Sequence, residues 1–450
     1  MKSEPKALAP GKTEGSVVAF AALFGGFLGL SLLKFGNPPI MEKWVNPPAG
    51  VYEFVLGYPW PIIWGYWLLA LLALLGLRTA RWLPAAPKWM VMLPLAWLGW
   101  QSIVTIASVD TSLSFATLKH FSACVACFYL GLLSLSRIEN PWQFWIGLTG
   151  GFVLAMAVGW EQHFGGLKAS REYFWQYVYP TLKEVPPEYL KKITSDRIFS
   201  TLFYPNALAG AILLLLPGVL GMIWQAEGLL TQAARAFLLG LVGICSLAVL
   251  FWSGSKGGWL LMLVLGVIFL LRQPFGARWK AIIVSGVIIV GLAGFFWTYS
   301  GFFKKGATSV SARFDYWRAA VQTTLDKPLL GTGPGTFYVP YHRIKRPESE
   351  MTRLVHNDYL EQASDSGVVG FVAYSVFIVS VIILCVPNGS LSSKTLAMWL
   401  GLTGWALQGL VEFGLYIPAL AWPAFGFLGW LLGRTVVERG ANRIDKPTPK

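Results

Sequence analysis

The sequence predicts an all-α, polytopic integral membrane protein, and two observations support this prediction. Only 13% of the 450 residues are charged and 55% are hydrophobic, whereas soluble domains carry about 25% charged residues. Apolar stretches of about 20 residues recur along the chain, and a helix of that length crosses a hydrocarbon core of about 30 Å. Because no low-complexity linker divides the chain, we expect one membrane domain over residues 1–450.

We expect about twelve transmembrane helices, most of them joined by short turns. The first covers residues 16–33, because this run is longer than the apolar part of a signal peptide and lacks a small-residue cleavage site after it. The twelve segments are centred near residues 25, 70, 98, 124, 152, 212, 243, 264, 289, 375, 402 and 427.

Two connections between these segments are long, at 164–199 and 300–356. The short connections predict the orientation of the chain, because Lys and Arg concentrate at one set of helix ends and mark the cytoplasmic side. This orientation places both termini inside the cell and both long loops on the outer face.

The loop 300–356 is strongly basic, with nine basic residues against four acidic ones. One interpretation is a solvated loop that contacts anionic headgroups. The other is a binding site for phosphate or pyrophosphate. The outer placement argues against nucleic acid as a partner.

The loop 164–199 is nearly neutral and rich in aromatic residues. Such side chains form belts at the membrane interface, or they present flat apolar faces to a ligand such as a sugar ring. Composition leaves both interpretations open. The aromatic residues are Tyr173, Phe174, Trp175, Tyr177, Tyr179 and Tyr189.

His356 stands where the basic loop ends and an apolar run of membrane length begins. Asn357 is a residue type suited to the N-cap, so we expect a helix to begin here. The positive end of a helix dipole disfavours imidazolium, and a neutral histidine beside basic residues can act as a general base. The alternative is a structural histidine that is hydrogen-bonded at the interface.

Four further residues are candidates for a functional site. Arg197 precedes the sixth segment, where it either binds an anion or extends its charge to the interface. Asn206 lies near the start of that membrane helix and is expected to face protein or a cavity. Lys256 lies in a tight outer turn, as an interface anchor or part of a site. Glu412 is an ionisable group near the outer end of the eleventh segment, which makes it a functional candidate.

Two motifs that often bind metals or nucleotides are assigned structural roles. Cys124 and Cys127 lie within an apolar run and have no second ligand pair, so we expect buried small hydrophobes. The glycine-rich stretch 331–335 lacks the Gly-Lys-Ser/Thr of a phosphate loop and is predicted to be a turn. The histidines lack the spacing of metal ligands, and we expect neither a metal nor a cofactor.

Four stretches, in this order, resemble the O-antigen ligase and polymerase superfamily of bacterial envelope glycosyltransferases. Each stretch is short, and the resemblance rests on their order and spacing over about 197–370. The stretches are Arg197 through Pro205-Asn206; Ser255-Lys256-Gly257; Arg313-Phe314-Asp315-Tyr316-Trp317 with Pro328-Leu329-Leu330-Gly331-Thr332-Gly333; and His356-Asn357-Asp358-Tyr359-Leu360 with Gly367-Val368-Val369-Gly370.

The resemblance implies a GT-C-like membrane enzyme that transfers a glycan from undecaprenyl pyrophosphate on the periplasmic face of the inner membrane. The acceptor is lipid A–core in the ligases and a growing glycan chain in the polymerases, and no nucleotide sugar or metal is needed. It implies that His356 deprotonates the acceptor hydroxyl in an inverting reaction. Arg197 and Arg313 would bind the pyrophosphate and stabilise its developing charge.

Three other residues complete the expected substrate-binding set: Asn206, Asn357 and Lys256. Lys256 departs from the family pattern, because the family commonly has Ser-Arg-Gly where this chain has Ser255-Lys256-Gly257. A lysine keeps the charge of an arginine but loses its bidentate fork.

Several functions stay open at this point. Many polymerases have a glycine about eleven residues after the basic residue of each outer loop, and neither Arg197 nor Arg313 has one, which favours a ligase. Protein O-glycosylation is a third choice of acceptor. A different class, a secondary transporter or lipid-carrier flippase, would show interrupted helices or charges near the bilayer midplane.

Overall fold

A computed structural model describes residues 12–57, 59–81, 86–181, 194–304, 308–387 and 393–444. Over these ranges the chain is helical and contains no strand, which confirms the predicted all-α fold class. Tyr189 of the aromatic-rich loop and Lys305 of the basic loop lie outside the described residues.

The helices are numbered here in chain order. They are α1 (Lys12–Lys34), α2 (Ile62–Thr79), α3 (Lys88–Ile106), α4 (Thr111–Tyr129), α5 (Trp142–Glu161), α6 (Leu167–Tyr173), α7 (Pro205–Trp224), α8 (Gln232–Trp252), α9 (Lys256–Arg272), α10 (Ala277–Lys304), α11 (Thr308–Asp326), α12 (Tyr338–Ile344), α13 (Asp358–Leu384), α14 (Ser393–Gln408) and α15 (Pro418–Ile444).

Each of the twelve predicted apolar segments coincides with one of these helices. In the described part of the chain, ten helices are long and apolar enough to cross a membrane, so the protein is a multi-pass membrane protein. The two others, α9 and α14, have 17 and 16 residues. The total of twelve spans therefore stays a prediction. Helices α6, α11 and α12 lie within the two predicted loops.

Helix α15 lies at the centre of the bundle. Within its apolar window 83% of the residues are buried by protein, whereas the corresponding share in α10 is 6%, which leaves α10 at the periphery. The Trp422 ring of α15 lies 5.4 Å from the ring centroids of both Phe27, within α1, and Phe35, just after α1. The C-terminal part of α1 therefore packs against this central helix.

Helices α1 and α5 pack through two facing pairs of glycines. Gly25 and Gly29 on α1 meet Gly147 and Gly151 on α5, and a Cβ added to Gly29 would lie 2.4 Å from the Gly147 carbonyl oxygen. A Cβ added to Gly151 would lie 2.3 Å from the Gly29 carbonyl oxygen. Because lipid supplies no hydrophobic drive between helices, close backbone approach through small residues is a main source of their association.

The described part of the basic loop is folded against α13. This helix breaks at Ser366 and Gly367, where Gly367 has a φ of 69°. The glycine-rich turn at 331–335 docks on the break, since Thr332 N donates to Ser364 O (3.1 Å) and Gly333 N donates to Asp365 O (2.8 Å). The stretch that resembled a nucleotide loop is therefore a packing turn. Residues 358–365 form a separate helical segment before the apolar part of α13.

The glycine contact between α1 and α5 predicts a position-specific loss of stability. We expect Gly151→Ala to lower the free energy of unfolding by about 1–3 kcal/mol, because the methyl group overlaps backbone that cannot move aside. The matched control is Gly150→Ala, since a Cβ there meets nothing within 4 Å while gaining the same helix propensity. Thermal unfolding of the two purified variants in detergent measures the difference. Equal melting temperatures would contradict the packing described.

Candidate active site

Five segments of the chain meet at one end of the helix bundle. They are the stretch 197–206 leading into α7, the turn 253–256 between α8 and α9, the start of α11, the residues just before α13, and the turn 409–413 after α14. These segments carry the residues that the sequence singled out.

Glu412 is the residue on which these segments converge. Its Oε2 accepts a hydrogen bond from His356 Nδ1 (3.1 Å), and its Oε1 accepts one from Asn206 Nδ2 (2.6 Å). Oε1 also forms a short ion pair with Arg313 Nη2. Arg313 is fixed further, since its Nε donates to the Val411 carbonyl oxygen (3.0 Å). Only 11% of the Glu412 side chain is exposed, and both of its oxygens have partners, so its buried charge is compensated.

The protonation state of Glu412 follows from these partners. Burial of the carboxyl raises its pKa, but the hydrogen bond from His356 and the charge that this ring carries when protonated, followed by the Arg313 guanidinium, lower it by more. The pKa of Glu412 therefore lies below its ordinary value of 4.5, and the group is a carboxylate at neutral pH.

Arg197 joins the network through Asn206. Its Nη2 donates to Asn206 Oδ1 (2.7 Å), and its Nε donates to the Ser253 carbonyl oxygen (2.8 Å). Burial lowers the pKa of the Arg197 guanidinium, which the Glu412 charge partly offsets and the Arg313 charge reinforces. Asn206 thus bridges a buried cation and a buried anion, which explains a polar side chain at the start of an apolar helix.

Lys256 completes the positive charge of the site. It opens α9, where Ser255 Oγ accepts from Gly258 N (3.3 Å) as the N-cap. Its ammonium lies 5.0 Å from the ring centroid of Tyr299 on α10, within electrostatic reach of Arg197 and Arg313. Three cations therefore surround one carboxylate, which leaves the site with excess positive charge suited to an anionic ligand.

His356 has a fixed orientation. Tyr316 stacks on its ring at a centroid distance of 5.8 Å, and Phe413 contacts it edge-on at 4.8 Å. Because a carboxylate can only accept, Nδ1 carries the hydrogen toward Glu412, and Nε2 is the basic nitrogen. About a quarter of the side chain is exposed (26%). His356 precedes the helix rather than beginning it, and its nearest charged partner is a carboxylate instead of the helix end.

The backbone at the site adopts an uncommon conformation. Among the described non-glycine residues, three have positive φ: Ser200 (55°), Phe203 (58°) and His356 (56°). The first two lie in the stretch that carries Arg197 and Asn206. Left-handed conformations of such residues cost free energy and cluster at functional sites. The segment is held by Gln162, whose Oε1 accepts from Ser200 N (2.7 Å).

The predicted site residues are therefore not all placed alike. Asn206, Arg313 and His356 contact Glu412 directly, Arg197 joins them through Asn206, and Lys256 lies beside them. Asn357 is the N-cap of α13, as expected: its Oδ1 accepts from Tyr359 N and Leu360 N, both at 3.0 Å, and its Nδ2 donates to Leu410 O (2.9 Å). A role in substrate binding stays a prediction for each of these residues.

The central position of Glu412 was missed by reasoning from the sequence. The sequence showed that Glu412 is an ionisable residue at the end of an apolar run, but it did not indicate which residues contact it. The two cysteines that were assigned structural roles lie elsewhere, since Cys124 and Cys127 are buried in α4. His120 is buried in the same helix, with its Nε2 2.8 Å from Leu415 O.

Comparison with known proteins supports the family assignment. The O-antigen ligase family matches residues 241–375, which run from α8 into α13 and include Lys256, Arg313 and His356. An uncharacterized protein of Haemophilus influenzae is 28% identical over 159 residues, or 30% of this chain, and the chain spans 40% of that protein's length. Residues 241–375 thus match the O-antigen ligase family, which is the family that the four sequence stretches resemble.

Proposed function

We propose that this protein transfers a glycan from undecaprenyl pyrophosphate to an acceptor hydroxyl on the periplasmic face of the bacterial inner membrane. The observation that carries the proposal is the juxtaposition of an oriented histidine with three cations, Arg197, Lys256 and Arg313. The histidine is suited to activating a hydroxyl, and the three cations are suited to binding a pyrophosphate.

His356 is the proposed general base. Its Nε2 takes the proton of the acceptor hydroxyl as the oxygen attacks the anomeric carbon of the donor glycan. The bond from that carbon to the pyrophosphate oxygen breaks, and its electron pair leaves with the pyrophosphate. A single displacement of this kind inverts the anomeric configuration. Glu412 holds the ring in the correct tautomer and stabilises the imidazolium that forms.

The cations are proposed to bind the leaving group. Charge grows on the pyrophosphate as the glycosidic bond breaks, and fixed donors in a partly buried site stabilise that charge without having to reorganise. Arg197 and Arg313 are held in place by Ser253 O and Val411 O. A pyrophosphate is already a good leaving group, so this mechanism requires neither a metal nor an acid.

The proposed acceptor is lipid A–core, as in a ligase. Neither Arg197 nor Arg313 is followed by glycine eleven residues later, the spacing that many polymerases have. An O-antigen or exopolysaccharide polymerase is the second candidate, because the same site would serve a growing glycan as acceptor. A transporter is less well supported, since the charged groups of the site gather at helix ends.

The first prediction concerns the base. We expect His356→Ala to slow the release of undecaprenyl pyrophosphate by about 10²–10⁴-fold, because the hydroxyl loses its proton acceptor. The assay mixes the purified full chain with undecaprenyl-pyrophosphate glycan and lipid A–core. His342→Ala is the matched control, since that histidine lies exposed on α12. Undiminished release in His356→Ala would exclude the catalytic assignment.

The second prediction concerns the leaving-group site. Arg313→Lys should lower kcat/KM for the donor by about 10–100-fold, because one ammonium cannot replace both charge-assisted hydrogen bonds of the guanidinium. Lys256→Arg keeps the charge and should change the same constant by less than about threefold. If the two substitutions have equal effects, charge alone matters and the directed role of Arg313 is wrong.

The third prediction concerns acid stability. The pKa of Glu412 is lowered in the folded state, so its ionised form stabilises the fold above its ordinary pKa of 4.5, and that contribution is lost as the pH falls below it. Glu412→Gln should therefore lose less stability than the wild type when the pH is lowered from 7 to 4. Unfolding by denaturant at each pH measures this difference, and parallel losses in the two proteins would refute it.

A further inference from the structure

The helical segment 358–365 carries three buried acidic side chains on one face. Asp358, Glu361 and Asp365 are spaced by three and four residues, and none is more than 1% exposed. Each accepts a hydrogen bond from the backbone of a different segment. The donors are Leu415 N (3.0 Å), Val355 N (3.1 Å) and Gly335 N (2.6 Å) respectively.

Asp358 holds both ends of the turn that carries Glu412. Its backbone N–H donates to Gly409 O (2.7 Å), which precedes Glu412 by three residues. Its carboxyl group accepts from Leu415 N, which follows Glu412 by three residues, at 3.0 and 3.2 Å from the two oxygens. A single residue thus fixes the entry and the exit of the turn 409–415.

The same residue stands two positions after His356 in the chain. The distance between His356 and Glu412 is therefore set through Asp358, which is joined covalently to the first and by hydrogen bonds to the second. Two neighbouring contacts also fix these segments to each other. Asn357 Nδ2 donates to Leu410 O (2.9 Å), and Glu361 Oε2 accepts from the N–H of Val355, just before the strained His356. There is little slack, since a Cβ on Gly409 would lie 3.0 Å from Asp358 Oδ2.

We propose that Asp358 is a positioning residue that keeps Glu412 Oε2 within hydrogen-bonding distance of His356 Nδ1. This inference deepens the proposed function and rests on it for its catalytic consequence. Proton transfer depends on the placement of the base to within about 1 Å. Of the three cations proposed to bind the donor pyrophosphate, Arg197 and Lys256 lie on segments that Asp358 does not touch, whereas Arg313 bonds to Val411 O and Glu412 in the turn that Asp358 holds. Asp358 therefore acts on kcat more than on KM for the donor.

The kinetic test compares three variants of the full chain. Asp358→Ala should lower kcat by about 10–100-fold and raise the donor KM by a smaller factor, through Arg313. Asp358→Asn should show a smaller but measurable loss, because only one of the two oxygens that accept from Leu415 N remains. Ser364→Ala is the control, since this buried hydroxyl bonds only within its own helix, to Glu361 O. A KM that rises as much as kcat falls would overturn the proposal.

A coupling measurement separates positioning from general stability. If Asp358 acts through Glu412, the kcat losses of Asp358→Asn and Glu412→Gln will be smaller together than their product, because one interaction is removed twice. Multiplicative losses would contradict it. The Asn variant is isosteric, so this cycle decides the question even if the Ala variant does not fold.

A substrate-free readout distinguishes this inference from the proposed function. Carbethoxylation of His356 by diethyl pyrocarbonate, followed by mass spectrometry, reports how firmly the ring is held. We expect it to be several-fold faster in Asp358→Ala and Glu412→Gln than in the wild type, and unchanged in Ser364→Ala. Unchanged rates in Asp358→Ala would refute the positioning role. A wild type that releases no undecaprenyl pyrophosphate would refute only the proposed function.

Discussion

The site depends on one buried carboxylate, Glu412, and on the need to partner its charge. An isolated anion in so little water would be strongly unfavourable. The three side chains that satisfy it, Asn206, Arg313 and His356, come from segments 206, 99 and 56 residues away along the chain. Neutralising this charge therefore brings α7, α11 and the start of α13 to one point. The contacts that neutralise Glu412 in the fold are therefore also the contacts of the proposed active site.

This cluster carries more positive than negative charge. Glu412 offsets one positive charge, whereas Arg197, Arg313 and Lys256 carry three, so like charges lie close to one another. Strained backbone at Ser200, Phe203 and His356 adds to this cost. An anionic ligand would relieve the first of these costs. Stored repulsion of this kind favours binding of a doubly charged group such as a pyrophosphate.

The transmembrane helices could be predicted from the sequence, because the hydrocarbon core of the membrane constrains their length and composition. Every predicted apolar segment is a helix because a backbone in hydrocarbon must satisfy its own hydrogen bonds, and Asn357 was recognisable as an N-cap from its type alone. The partners of Glu412 were not recognisable, because a contact across 206 residues leaves no local pattern. The break at Gly367 was hidden for the same reason: only the docking of the 331–335 turn explains it. The family could be recognised from the sequence because its short motifs occur in a fixed order along the chain. The contacts between distant residues could not be recognised in this way.

The lysine at position 256 shows how the site tolerates a departure from the family pattern. Arg313 makes two directed hydrogen bonds, to Val411 O and Glu412, which only a planar fork can supply together. Lys256 instead places its ammonium over the ring of Tyr299, a contact that needs a positive charge and no particular donor geometry. A lysine meets that requirement as well as an arginine does. The lysine therefore keeps the positive charge and the contact with the Tyr299 ring at this position, and the two arginines stand where directed bonds to Ser253 O and Val411 O fix the site.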